Sequence, residues 1–202
     1  TAATLMGIPI AHLQGGDVSG SLDEQMRHAV TKLAHIHFPS TGESASRIRR
    51  MGEEAWRVHV VGDNHIDSIL AGEYADREVI TETLNLDMGS PIAVVLQHSE
   101  TTAPQDSYDQ MVETLEAVRE VGCQAVVVHP CSDQGYEGII RAIDELAVTP
   151  QFRIRVNLDA PFFLGLLRVA TVMVGNSSAG LIETPYFGMP AINIGRRQEG
   201  RL

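Results

Sequence analysis

The sequence predicts an α/β protein built on parallel sheets. Three observations carry that expectation. Short apolar runs alternate with helical patterns along most of the chain, the arrangement that makes parallel sheets with helices on their faces. The strongest runs, such as residues 126–128, are apolar at every position, as suits strands buried on both sides. A polar stretch at residues 73–89, ending in Met88-Gly89-Ser90-Pro91, divides the alternation into two blocks. Two doubly wound domains follow: residues 1–75, a linker at 76–90, and residues 91–202.

In the first block, residues 8–13 are expected to form a buried strand. Asp23–Leu33 is expected to be a helix, because Met26, Ala29, Val30 and Leu33 fall on one face. Ile36–Phe38 is a short strand, Thr41 opens a second helix, and residues 58–61 make a third strand before a helix at 65–70. The second block offers strands at Ile92–Leu96, 125–129, 153–156, 172–174 and 191–194. Helices are expected between them at 105–121, 135–146, 162–169 and 179–187. A doubly wound domain usually has at least five strands and the first block has three, so strands are expected to be missing in front of it and further chain behind the second.

Bulk properties narrow the function. The 202 residues are 44% hydrophobic and 20% charged, ordinary for a globular protein. The net charge of −11 argues against broad nucleic-acid binding, which needs a basic face. It leaves room for a small anion held by a local positive patch. No apolar run approaches the roughly 20 residues of a membrane span, and the first residues have no basic leader, so a cytoplasmic protein is expected. Cys123 and Cys131 lack the partner spacing of a zinc site, and His28, His35 and His37 show no ligand pattern, so no metal is expected and both cysteines are read as structural. His28 and Lys32 are read as a solvated helix face. There is no glycine-rich dinucleotide fingerprint and no Walker loop.

The sharpest motif is Gly175-Asn176-Ser177-Ser178-Ala179-Gly180-Leu181-Ile182-Glu183. It follows a predicted strand and opens a predicted helix, where outward N–H groups and the dipole favour an anion. Ser177 and Ser178 add hydroxyls, and Gly180 lets a ligand approach. Glu183, one turn on, can accept hydrogen bonds from two hydroxyls of a ribose. The same residues also make an ordinary N-cap, a packing glycine and a surface glutamate. Downstream, Gly195-Arg196-Arg197-Gln198-Glu199-Gly200-Arg201 gathers arginines whose planar forks suit phosphate; a solvated turn is the plainer alternative.

Together these two segments, SSAGLIETPYFGMPAINIGRRQEGR, closely resemble the nucleotide-binding segment of the hydrolysing UDP-N-acetylglucosamine 2-epimerases. HLQGGDVSGSLDEQMRHAVTKLAHIHFPST resembles that family's other signature, and the resemblance covers essentially the whole chain. It implies two Rossmann-like domains in a glycosyltransferase-B arrangement, with the first one truncated here. It also implies loss of UDP from C1 and a proton from C2, then hydration to N-acetylmannosamine. By the same resemblance, Ser177, Ser178 and Gly180 would hold the diphosphate and Glu183 the ribose. Arg197, Gln198 and Arg201 would line the nucleotide pocket.

Asp23 matches one of the family's two proton-transfer carboxylates, although an N-cap is the alternative. Where the family's motif reads His-Ile-Glu-Gly-Gly-Glu, this chain has His12-Leu13-Gln14-Gly15-Gly16-Asp17. An amide cannot exchange protons at neutral pH. Asp17 is therefore expected to contribute to catalysis and Gln14 to position the sugar, with impaired chemistry as the other possibility. His98, at a strand end, matches a histidine facing the active site. Asp133 and Gly135 match a loop near the nucleotide base, where turn chemistry is the alternative. The resemblance implies a UDP-sugar substrate, no cofactor, no membrane partner and a homo-oligomer at full length. Alternatives are the same chemistry on UDP-N,N'-diacetylbacillosamine, a glycosyltransferase sharing the architecture, and a non-catalytic nucleotide-sugar binder.

Overall fold

The computed structural model describes residues 1–201. The chain opens with a one-turn helix α1 (Ala2–Leu5) and strand β1 (Ala11–Leu13). Helix α2 (Asp23–Leu33), strand β2 (Ile36–Phe38), helix α3 (Gly42–Arg50) and helix α4 (Asn64–Ala71) follow. Thr41 caps α3, its hydroxyl accepting the Ser44 N–H at 3.1 Å. By contacts the chain forms two units, Thr1–Asp67 joined by the segment from Glu199 onward, and Ser68–Gln198.

In the first unit β1 and β2 pair in parallel, with His12 opposite His37. The expected strand at 58–61 forms a single bridge between His37 and Val58, with the His59 and Val61 N–H groups donating to the His37 and Pro39 carbonyls, and the described residues of this unit form a two-stranded sheet. The reason is burial: Val58 joins a small core with Ala45 and Ile48, whereas Val60 and Val61 are about half exposed. β1 is also shorter than expected and not buried, Leu13 being 62% exposed. Helix α2 turns its expected inward face outward. Met26 is 67% exposed, while Thr31 is fully buried and Arg27 and His28 are half-buried. Periodicity located this helix but not its orientation, because the face turned inward is polar and satisfied by side-chain hydrogen bonds. Thr31 Oγ donates to the Arg27 carbonyl at 3.1 Å and lies 3.3 Å from His12 Nδ1.

This unit holds an acid-sensitive network. His37 is buried with Nε2 3.3 Å from Glu53, and Lys32 donates a hydrogen bond to the same carboxylate. Lys32 is therefore paired, not simply solvated, and His28 lies 3.8 Å from Glu24. The hydrogen bond from Lys32 holds the Glu53 carboxyl below the usual range, against the opposing effect of burial. Burial, followed by the electrostatic influence of His37, Arg27 and His28, lowers the His12 imidazole pKa. Both folded-state values are depressed, so in each window the unfolded chain binds more protons. Stability is then present above the unfolded values, about 6.5 for His and 4.3 for Glu, and falls as pH drops through each. Urea titrations of the first unit's signals should give lower midpoints at pH 5.5 than at pH 7.5. The difference should shrink in His12→Asn.

The second unit begins at Ser68 and takes in the stretch expected to be a bare connector. That stretch instead contains helix α5 (Arg77–Leu84), which buries Ile80 and Leu84. Then come strand β3 (Ile92–Leu96), helix α6 (Ser107–Val121), strand β4 (Gln124–Val128), helix α7 (Tyr136–Leu146) and strand β5 (Phe152–Arg155). Helix α8 (Ala160–Val169), strand β6 (Val172–Gly175), one-turn helix α9 (Ala179–Ile182) and strand β7 (Ala191–Asn193) complete it. All five strands are parallel, in the order β5-β4-β3-β6-β7. This is a Rossmann-like doubly wound sheet. Val95, Leu115, Val127 and Ile143 are fully buried in its core, each contributing roughly 1.5–3 kcal/mol of apolar burial.

The expected helix at 179–187 is broken. α9 ends at Ile182, and a 3-10 turn, Thr184–Phe187, carries Pro185 in its first turn. Proline has no N–H to continue an α-helical ladder. No helix among the described residues is long and apolar enough to cross a membrane.

Candidate functional site

Strand order locates a crevice before any side chain is considered. From β3 the chain moves to β4 and β5 on one side, then returns to place β6 and β7 on the other. The order reverses between β3 and β6, and ligands of open α/β sheets bind at the carboxyl ends of the strands at such a point. The two strand ends there are the segment after Leu96, with His98, and the segment after Gly175, with Ser177 and Ser178.

Asn176 ties these two segments together. It is 1% exposed; its Oδ1 accepts the His98 N–H at 2.7 Å and its Nδ2 donates to the His98 carbonyl at 2.8 Å. This clamp was not singled out from the sequence, where Asn176 was only part of a small-residue motif. Its signal was an amide directly after an all-apolar strand, a side chain that can satisfy the free backbone edge of a neighbouring strand end.

The arginine segment joins the same loops. Gln198 is buried and donates through Nε2 to the Asn176 carbonyl at 2.7 Å. Arg197 Nη2 reaches Asp133 Oδ2 at 3.3 Å, and the arginine side chain is only 13% exposed. The Arg196 N–H donates to Glu100 at 2.9 Å, adding a second residue not anticipated from sequence. Asp133 lies in the loop after β4. There Gly135 takes φ +93° at the head of α7, and a Cβ would sit 2.5 Å from the Pro104 carbonyl oxygen. Ser177 Oγ accepts the Ala179 N–H at 3.3 Å, and Gly180 packs against Ala191. Glu183 is buried at 8% exposure, not on the surface.

Thus the loops after β3, β4, β6 and β7 bring together His98, Asp133, Gly135, Ser177, Arg197 and Gln198. Ser178 and Gly180 belong to the same β6 loop and turn. Because α9 is only one turn long, its dipole is short, and Arg197 is the cationic side chain the structure places among these loops.

Cys131 departs from its expected structural role. Cys123 is buried in the core, but Cys131 is exposed in the β4 loop. Its sulfur lies 3.1 Å from His98 Nδ1 and 3.1 Å from Asp133 Oδ2, and its N–H donates to the same Nδ1 at 3.2 Å. Although the residue as a whole is exposed, partial desolvation of its sulfur, then the hydrogen bond to Asp133, pushes the thiol pKa up.

The remaining predicted residues lie in the first unit. Gln14 has a left-handed backbone, φ +55°, and its Nε2 donates to Asp63 at 2.7 Å. Asp17 accepts the Ser44 hydroxyl at 2.6 Å and lies 3.8 Å from Arg201. Arg201 and Asp17 both belong to the first unit. Arg27 and Arg47 donate to the Asp17 and Gly16 carbonyls, holding the glycine turn from both sides. Asp23 is half-buried at the first position of α2.

A family model described as UDP-N-acetylglucosamine 2-epimerase matches residues 1–202. The chain belongs to that family. Among the family's relatives, this member is 34% identical over 200 residues to "UDP-N,N'-diacetylbacillosamine 2-epimerase (hydrolyzing)" of Legionella pneumophila, covering 99% of this chain and 53% of that one. It is 29% identical to "UDP-N-acetylglucosamine 2-epimerase" of Neisseria meningitidis, over 95% and 50% of the two chains. The fold is similar to that of the Neisseria meningitidis epimerase crystallised with UDP-GlcNAc, with a TM-score of 0.78 and 16% identity over 98% and 56% of the chains. The Methanocaldococcus jannaschii enzyme in complex with UDP-GlcNAc and UDP is similar at a TM-score of 0.74 and 18% identity, over 95% and 54%. The chain thus spans about half the length of these relatives.

Proposed function

We propose that the whole protein is a hydrolysing 2-epimerase that converts a UDP-2-acetamido sugar to UDP and the free 2-epimer. The observation that carries the proposal is the Arg197–Asp133 pair together with the Gln198–Asn176 bond, which seats the arginine segment against the serine loop at a strand-order reversal. Ser177, Ser178 and Gly180 would meet the diphosphate, Arg197 and Gln198 would line it, and Glu183 would accept from the ribose. Asp133 and Gly135 would border the nucleotide. Breaking the C1–O bond places negative charge on departing UDP, and a largely buried guanidinium held in place by Asp133 would stabilise that charge with little reorganisation.

In this reading residues 1–75 are the remnant of one Rossmann-like domain, 76–90 a linker and 91–202 the UDP-binding domain of a glycosyltransferase-B arrangement. Asp23 and Asp17 would carry the proton transfers at C2, and His98 would contact the diphosphate or shuttle a proton. Gln14, held by Asp63, would position the sugar and not exchange protons. Arg201, which lies 3.8 Å from Asp17, would line the nucleotide pocket. The Legionella pneumophila relative favours UDP-N,N'-diacetylbacillosamine as a second candidate substrate.

Incubation with UDP-N-acetylglucosamine in heavy water tests the proposal. The expected products are UDP and N-acetylmannosamine carrying deuterium at C2. A transferase would need an acceptor, and a binder would leave the sugar intact; either result contradicts the reading. The Asp17→Asn protein should lose most turnover, on the order of a hundredfold or more. Unchanged kcat would remove Asp17 from the mechanism.

A further inference from the structure

We propose that His98, Cys131 and Asp133 form a binding site for a soft divalent cation of the zinc type. The ligands are His98 Nδ1, the Cys131 sulfur and an Asp133 carboxylate oxygen. Their ligand atoms all lie within 4.8 Å of one another, and the sulfur is 3.1 Å from both of its neighbours. Zinc bonds of about 2.3 Å to sulfur and about 2.0–2.2 Å to nitrogen or oxygen place tetrahedral ligand atoms roughly 3.3–3.7 Å apart. The sulfur pairs would open by about 0.2–0.6 Å to admit an ion, through side-chain rotation in the two loops.

The placement follows from the sheet. β3 and β4 are parallel neighbours, with Val95 opposite Val127, so the loops after them emerge side by side. His98 is fixed at its backbone by Asn176 and at its ring by the Cys131 N–H. Nδ1 also lies 3.1 Å from the sulfur, so an ion seated between them would take the lone pair that now accepts the Cys131 N–H. Nitrogen, thiolate and carboxylate together select zinc-like ions over magnesium or calcium, which take oxygen ligands. Binding is non-redox: the thiol gives up its proton, Cys–SH + M²⁺ → Cys–S–M⁺ + H⁺. Arg197 already contacts Asp133 Oδ2, so the cation and the guanidinium share that carboxylate. Cys131 is exposed, which leaves the fourth position to water or to an oxygen anion. The sequence hid the site because its ligands come from two loops separated by 33 positions.

The proposal does not rest on the nucleotide reading and is tested without nucleotide. Zn²⁺ alone is titrated into the reduced chain by calorimetry, in buffers of different ionisation enthalpy. The expected result is one saturable equivalent with release of about one proton per ion. Co²⁺ in its place should give a thiolate charge-transfer band. Cys131→Ser should abolish that band, and Cys131→Ser and His98→Ala should each weaken Zn²⁺ by tenfold or more. Cys123→Ala should leave both unchanged, since Cys123 lies in the core. Absence of saturable binding, or binding and a band that survive Cys131→Ser in a chain with unaltered circular dichroism, would overturn the site.

Discussion

Gly175→Ala lowers the stability of the second unit by about 3 kcal/mol, the upper range for overpacking a core. Gly175 has φ +141°, a conformation that side chains rarely adopt, and a Cβ there would lie 2.0 Å from the Leu96 carbonyl oxygen. Leu96 is its register partner across the β3–β6 pair, so the clash cannot be relieved by a side-chain rotation. The two central strands must part, or the β6 end must twist. Either change moves Asn176 off His98 and dismantles the loop pair at the crevice. Thermal unfolding should show a Tm lower by roughly 5–10 °C. A variant with unchanged Tm would mean that the backbone at Gly175 is less constrained than its neighbours require.

Arg197→Ala weakens UDP binding by roughly 10–100-fold, the worth of one or two charge-assisted hydrogen bonds. Arg197 is largely buried and pre-oriented by Asp133, so it needs little ordering when a phosphate arrives. Its removal also frees Asp133, and an unpaired carboxylate beside a diphosphate repels it. Arg197→Lys should recover only part of the affinity, because an ammonium keeps the charge but loses the two-pronged geometry. Calorimetric titration of UDP into the three proteins measures all of this directly. Full affinity in Arg197→Ala would place the nucleotide elsewhere.

The legibility of the fold tracked burial. Strands β3 and β4 are buried at nearly every position, and their apolar runs stood out without help from context. In the first unit the elements are short and half-exposed, so pattern and structure diverge. Residues 58–61 look like a strand but have one bridge, and α2 presents His28 and Thr31 inward where its apolar stripe was expected. Pro185 marked the break after α9, but the surrounding helical pattern concealed it.

The site divides in the same way. Residues carried by one contiguous motif, such as Ser177, Ser178 and Glu183, were readable from local spacing. Residues defined by long-range contacts were not. The Asn176 clamp joins positions 78 apart, the Arg197–Asp133 pair spans 64, and the Cys131 cluster unites two loops. The pairing of Arg201 with Asp17 depends on the segment from Glu199 onward joining the first unit, which no local spacing reports.

The central claim is that the crevice between the β3 and β6 ends of the second unit holds the diphosphate of a uridine nucleotide. Titrating UDP and uridine separately into the isotope-labelled chain, followed by amide NMR, tests it most directly. UDP should shift the amides of Asn176–Gly180 and Arg197 saturably, while uridine binds on the order of a hundredfold more weakly for want of its phosphates. Equal responses to the two ligands, or UDP shifts confined to residues remote from these loops, would contradict the account.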